Sequence, residues 1–176
     1  MVVFEWFILA LVLASGLSIV FYQLYTGVPP MPSKQSEREQ AIELLQAADL
    51  NDGVIYELGC GWGGLILMLT KAFPDRPIVG YELSWLPFLV ARFRCRKLKN
   101  VKIYRNNFFK KDFPQASAVL CYLMMGSMPK LAAHLDKQLA TNTPVITLAF
   151  WFHDRKPAKK ISVQGPGVAL YYWPAK

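Results

Sequence analysis

Eight consecutive residues constrain this chain more than any other stretch: Glu57-Leu58-Gly59-Cys60-Gly61-Trp62-Gly63-Gly64, set directly behind the short β-prone run Val54-Ile55-Tyr56. Glycine reaches backbone conformations closed to other residues, so this density lets the chain leave a strand and turn sharply into a helix N-terminus. It also lets a ligand approach the main chain closely. Strand, glycine loop and helix in that order predict an α/β protein.

The alternation continues downstream. Pro77-Ile78-Val79-Gly80-Tyr81-Glu82 reads as a second strand, Val101 to Tyr104 as a third, Ala118 to Leu123 as a fourth and Val145 to Phe150 as a fifth. Helical stretches fall at Leu65 to Phe73, Leu86 to Lys97 and Met128 to Leu139. The pattern predicts a Rossmann-like, doubly wound, mostly parallel sheet covered by helices. Ile161 to Val163 and Val168 to Trp173, joined through Gly165-Pro166-Gly167, predict a C-terminal antiparallel hairpin. Ahead of the first strand, Ser36 with Glu39 reads as a capping box opening a helix whose apolar face carries Ile42, Leu44 and Leu45.

The N-terminal segment implies a different solvent. No charged side chain occurs from Trp6 to Ser33, and the twenty residues Trp6 to Tyr25 are predominantly apolar. At ~1.5 Å per residue they match a hydrocarbon core of ~30 Å, with Trp6, Tyr22 and Tyr25 where amphipathic rings favour the headgroups. The cationic start of a cleaved signal peptide is missing. Residues 1–26 are therefore expected to be a transmembrane anchor, 27–33 a proline-rich linker (Pro29, Pro30, Pro32) and 34–176 a single folded domain. Glu5 precedes the span and Lys34 and Arg38 follow it, which predicts a single-pass membrane protein with its domain on the cytoplasmic, or mitochondrial matrix, side.

Twenty Lys and Arg against twelve Asp and Glu give a formal charge of +8. Nine of those cations lie between Arg92 and Lys111, with no acid among them. On a domain tethered beside a bilayer, such a run predicts apposition to an anionic membrane surface. The interleaved Trp85, Phe88 and Phe93 form no RNA-binding signature, which argues against nucleic acid. Cys60, Cys95 and Cys121 form no C-x-x-C pair, so neither a metal site nor a disulfide framework is expected.

The glycine loop satisfies two templates. Gly59, Gly61 and Gly64 give G-x-G-x-x-G, the dinucleotide fingerprint; Glu57, Gly59, Gly61 and Gly63 give the acidic-x-Gly-x-Gly-x-Gly loop of S-adenosylmethionine enzymes. A carboxylate at Glu57 suits a ligand with a cationic amino acid end and repels a pyrophosphate. Glu82, ending the second strand, is placed to accept hydrogen bonds from ribose hydroxyls, which both cofactor classes need. Too few residues follow Glu82 for the second half of a dinucleotide fold with a substrate domain. Charge and length both favour the sulfonium cofactor.

This loop, with Gly80-Tyr81-Glu82, resembles class I, seven-β-strand S-adenosylmethionine-dependent methyltransferases. More narrowly, the span, the Val28-Pro29-Pro30-Met31-Pro32-Ser33 stretch, the Gly80-Tyr81-Glu82-Leu83 run and the basic aromatic helix Phe88 to Lys97 resemble the membrane-anchored protein-lysine methyltransferases of the ATP synthase c subunit and adenine nucleotide translocase type. The resemblance implies that Glu57 and Gly59 contact the methionine end of the cofactor and Glu82 the ribose, with Cys60, Gly61 and Gly63 of the same loop also binding the cofactor. It puts Asn107 where such enzymes often carry an Asp that binds the adenine amino group. Met124-Met125-Gly126-Ser127 replaces the Asn/Asp-Pro-Pro-aromatic motif of DNA and amide methyltransferases, which points away from ring and amide nitrogens.

The implied reaction is direct in-line methyl transfer to a lysine of a membrane protein. A lysine ammonium, of pKa ≈ 10.4, must first lose a proton, and burial among aromatic side chains favours that loss. Candidates for the channel wall are Trp62, Tyr122, Phe150, Trp151 and Phe152; His153 is a candidate proton relay, and no residue is identifiable as the catalytic base. An amine-bearing lipid or small hydrophobic molecule as acceptor, and a non-catalytic cofactor-binding scaffold, remain open alternatives.

Overall fold

Five runs of β-branched and apolar residues become parallel strands because each is followed by a connection long enough to return the chain to the same end of the sheet. In the computed structural model, which describes residues 33–162 and 167–174 together with helical residues 4–10, 12, 13, 16 and 17, these are β1 (Val54–Leu58), β2 (Ile78–Glu82), β3 (Val101–Arg105), β4 (Ala116–Cys121) and β5 (Thr143–Leu148). Two further strands, β6 (Lys159–Ile161) and β7 (Val168–Trp173), complete a seven-stranded mixed sheet of order β3-β2-β1-β4-β5-β7-β6. β7 runs antiparallel to both β5 and β6. The mostly parallel sheet and the C-terminal antiparallel hairpin are as the sequence predicts, although β6 starts earlier than expected and Val163 lies outside the described residues.

The α-helices packed with this sheet are α1 (Gln35–Gln46), α2 (Gly64–Ala72), α3 (Trp85–Cys95) and α4 (Met128–Leu135). Strand order steps one way from β1 to β3 and the other way from β4 to β5. Right-handed crossovers consequently put α2 and α3 on one face and α4 on the other. Ala41, Leu44 and Leu45 of α1 join Leu65, Ile66 and Leu69 of α2 over Ile55, Ile78, Leu120 and Ile146. On the opposite face Leu131, Ala132 and Leu135 of α4 cover Val119, Val145 and Tyr171.

The second face carries less helix because β3 and β4 are joined by a single 3-10 turn, Phe108–Lys110. Aromatic rings cover the sheet there. Tyr56 stacks parallel to Tyr81 with centroids 6.3 Å apart, Phe113 leans on both, and His134 meets Phe113 edge-on. The Tyr56 hydroxyl donates to the Pro114 carbonyl at 3.0 Å, and burial, with Tyr81 and Tyr104 nearby, pushes its pKa up to about 12.

Helix α1 starts two residues earlier than the expected capping box allows. Its N-cap is Lys34, and the Glu37 carboxylate accepts from the Lys34 backbone N–H at 3.0 Å. Ser36 therefore sits inside the first turn, and Glu39 pairs with the Gln35 side chain instead. The expected membrane span Trp6 to Tyr25 and the linker 27–33 lie largely outside the described residues; among the described residues no helix is long and apolar enough to cross a membrane.

Gly53, before β1, has φ +154, and a Cβ there would collide with the Gln115 carbonyl oxygen, the acceptor of the Val54 N–H. Gly53→Ala is expected to lower unfolding free energy by about 2 kcal/mol, from strain and a disturbed β1–β4 pairing. The urea midpoint measures this, and an unchanged midpoint would mean that the Gln115 turn yields at no cost.

Candidate functional site

β1 has β2 on one side and β4 on the other, so the chain diverges at its carboxyl end and leaves a crevice there. Register brings the site components level: Glu57 lies opposite Gly80 and Leu120, and Leu58 opposite Tyr81 and Cys121.

The glycine loop is tightly fastened. Gly59 and Cys60 both donate their N–H to the Tyr81 carbonyl at 2.9 Å, and Gly63 donates to Cys60 at 2.8 Å. Gly59, Gly61 and Gly63 have φ of +77, +50 and +76, a region that side-chain-bearing residues rarely adopt. Among the described residues nothing lies within 4 Å of where a Gly61 Cβ would be, so the backbone is approachable there. Gly63, the N-cap of α2, lies instead against Ala91 of α3.

Glu82 is the clasp. Its Oε2 accepts from Gly61 N–H at 2.8 Å and its Oε1 from Ser84 N–H at 2.7 Å, tying the end of β2 to the loop. Each oxygen retains a lone pair for a further donor.

Glu57 is only 6% exposed and lies beneath the first turn of α2. The Ile66 backbone N–H bonds its carboxylate, while Oε2 has no hydrogen-bond partner among the described residues. Burial first, and then the neighbouring Glu82, push its pKa well above the ordinary carboxylate range; the Arg38 guanidinium and the Ile66 bond act in the other direction. An unpaired oxygen on a buried acid is costly unless a donor supplies what is missing.

The sequence reading missed Arg38. This α1 side chain donates through Nε and Nη2 to the Ser33 carbonyl, at 3.1 and 2.6 Å, and lies against the backbone of Gly64. Its proximity to Glu57 arises only when α1 packs on α2, and no local motif announces it.

Cys60 contributes backbone alone. Its thiol points inward against Gly80, where a Cβ would come within 3.0 Å of Sγ, and burial with Glu57 and Glu82 raises its pKa well above the ordinary thiol value. Asn107 caps the 3-10 turn, its Oδ1 accepting from Phe109 N–H at 3.0 Å, while Asn106 N–H bonds the Glu82 carbonyl.

Beyond β4 and β5 the candidate wall residues divide. Tyr122 and Phe150 meet with centroids 6.1 Å apart, and burial raises the Tyr122 hydroxyl pKa. Trp151 is half-buried, with Nε1 lacking a hydrogen-bond partner among the described residues and the Lys160 ammonium 3.7 Å from its ring centroid. Phe152 leaves the wall: it is buried against Tyr171 and Trp173. Trp62 spends its carbonyl on Arg94 at 2.7 Å. His153 is exposed, with Nε2 2.9 Å from the Met125 sulfur. A separate open cleft of about 610 Å³ lies at the opposite rim, lined by Asn51, Asp52, Pro77, Asp112 and Gln115. It faces the amino ends of the strands, away from the glycine loop.

Comparison with known proteins places this arrangement. Residues 57–159 match the family model described as the ANTKMT methyltransferase domain. A protein-lysine N-methyltransferase of Saccharolobus islandicus (strain REY15A) is 26% identical over 140 residues, which cover 78% of this chain and 86% of that protein. An RNA methyltransferase from Salinibacter ruber, solved with S-adenosyl-L-homocysteine, superposes with a TM-score of 0.71 at 24% identity, over 83% of this chain and 95% of that one. The geranyl diphosphate C-methyltransferase of Streptomyces coelicolor A3(2) gives 0.53 at 22% identity, over 63% and 45%. These two structural likenesses show the fold. With more than half its length inside the matched region, the chain belongs to the ANTKMT methyltransferase-domain family and is an S-adenosylmethionine-dependent methyltransferase.

Proposed function

We propose that this protein transfers a methyl group from S-adenosylmethionine to a lysine side chain of a membrane protein, acting from the bilayer surface to which residues 1–26 tether it. The observation that carries the acceptor is the likeness to a protein-lysine N-methyltransferase over most of the chain. The tether rests on the uncharged run from Trp6 to Ser33, followed by Lys34 and Arg38 on the cytoplasmic or matrix side.

The residues at the carboxyl end of β1 fit the cofactor. The unpaired Glu57 oxygen suits a cationic amino group, the approachable main chain at Gly61 admits a ligand, and Glu82 offers acceptors for ribose hydroxyls. Asn107 is the candidate for the adenine amino group, its oxygen already shared with Phe109. Bound there, S-adenosylmethionine supplies a methyl group on a sulfonium, which departs as a neutral thioether when an amine attacks.

The protein's own contribution is orientation and exclusion of water. Tyr122, Phe150 and Trp151 form the candidate wall along which a lysine side chain reaches the crevice. Desolvation there lowers the ammonium pKa, so that the proton passes to water before the nitrogen attacks.

Radiolabelled methyl from the cofactor distinguishes the readings. Incubated with membranes, the full-length protein is expected to place label in protein, recovered as methyl-lysine after hydrolysis. Label in the chloroform phase would make the acceptor a lipid. Label in neither would leave a cofactor-binding scaffold.

A further inference from the structure

We propose that α3 is an interfacial helix: its outer face lies on the anionic surface of the bilayer, with Trp85, Leu89 and Phe93 set among the headgroups. The inference deepens the reading of a tethered enzyme and rests on that reading.

Helix α3 buries Pro87, Phe88, Ala91 and Cys95 against the domain. Its other side carries Trp85, Leu89 and Phe93, which are 49%, 50% and 63% exposed. Successive spacings of four residues align them along one face of the helix. In the described part of the folded domain, large apolar side chains this exposed are few, and most of them belong to this helix. Such a stripe marks a surface that is covered in use.

Charge identifies the cover. The Arg105 guanidinium lies 4.0 Å from the Trp85 ring centroid and that of Arg96 3.8 Å from Phe93, while Arg92 sits over Phe88. Exposed Lys97, Lys99 and Lys102 continue the cationic rim, and no acid occurs between Arg92 and Lys111. Apolar rings flanked by stacked guanidinium groups are the composition of a helix lying in the plane of an anionic interface. A convex stripe of this kind offers no groove to a nucleic acid strand.

Placement agrees. Trp85 follows Glu82 by three residues, so one end of the stripe adjoins the glycine-loop crevice. Ser33, where the described domain begins, is held by Arg38, which lies against Gly64 of the same loop. The tether therefore joins the domain at the end of the sheet where the stripe begins.

The test uses the full chain with Leu89→Cys labelled with an environment-sensitive fluorophore, since Cys60, Cys95 and Cys121 are buried. A second probe at Lys137→Cys, on the opposite side of the sheet, serves as reference. The protein is reconstituted in vesicles of phosphatidylcholine alone or mixed with phosphatidylglycerol. On anionic vesicles the Leu89→Cys probe is expected to shift to the blue, brighten several-fold and be quenched by doxyl-labelled lipid, while the reference probe stays aqueous. Arg92→Glu with Arg96→Glu is expected to abolish the response. A probe at 89 that stays aqueous on both vesicle types overturns the proposal, as does a response triggered by single-stranded RNA instead of lipid. Methyl transfer to a detergent-solubilised acceptor, assayed in parallel on the unlabelled protein, separates failure of this inference from failure of the proposed activity.

Discussion

Glu82→Ala is expected to weaken S-adenosylmethionine binding about 100-fold or more, with the fold retained. Two main-chain N–H groups, of Gly61 and Ser84, depend on this carboxylate at 2.8 and 2.7 Å. Hydrogen bonds to a charged group contribute roughly 1.5–3 kcal/mol each, and about 1.4 kcal/mol corresponds to tenfold in affinity. The substitution removes the acceptors proposed for the ribose and also releases the glycine loop that the ligand must find in place. Titration calorimetry measures the loss. Glu82→Gln keeps one acceptor oxygen and should fall between the two. Affinity within a few-fold of the parent, in a variant that melts normally, would remove Glu82 from the site.

Glu57→Gln should produce two effects of opposite sign. In the folded chain the Glu57 carboxyl is held well above the ordinary carboxylate range, chiefly by burial, whereas in the unfolded chain it titrates within that range. Between the two values the folded protein keeps a proton that the unfolded chain has released, so stability falls as pH rises through the window and the full cost of burying the anion is present above it. An amide of the same shape still accepts from Ile66 and carries no charge. Glu57→Gln is therefore expected to raise unfolding free energy by about 1–3 kcal/mol at alkaline pH, with little gain in acid.

Cofactor affinity should move the other way. Removing one partner of a buried charge pair costs about 2–5 kcal/mol, which is roughly 30-fold or more. A cationic amino group beside Glu57 favours the ionised form, so binding by the parent releases a proton and strengthens as pH rises towards the raised pKa. Calorimetry in buffers of different ionisation enthalpy detects that proton, and the amide variant should release none. A variant less stable at every pH, or one that binds as tightly as the parent, would mean that Glu57 serves only to cap α2.

The central crevice was legible because its components are local. Glu57 to Gly64 declares a strand, a turn requiring positive φ and a helix within one window, and Glu82 ends the next strand. Element boundaries moved by a few residues where tertiary pairing decides: Arg105 joins β3 through its register with Glu82, and Gln115 ends a turn that Ala116 leaves as β4. What escaped was non-local. Arg38 reaches the loop only through packing of α1 on α2, and Gly80 is small because Cys60 and Ile66 press on it, which its motif context does not reveal. Phe152, expected near the site, turned out to be core because Tyr171 and Trp173 arrive from the far end of the sequence.

The position of β7 has a consequence for biosynthesis. The strand is made after β6 yet lies between β5 and β6, with Val168, Ala169, Leu170, Tyr171 and Trp173 buried. Until these residues leave the ribosome, the hydrogen-bonding edge of β5 has no native neighbour and is free to pair with other chains. Chaperone demand should therefore peak during synthesis of the last strand, and the more so if the proposed tether holds that unfinished edge at a membrane surface, where local concentration is high.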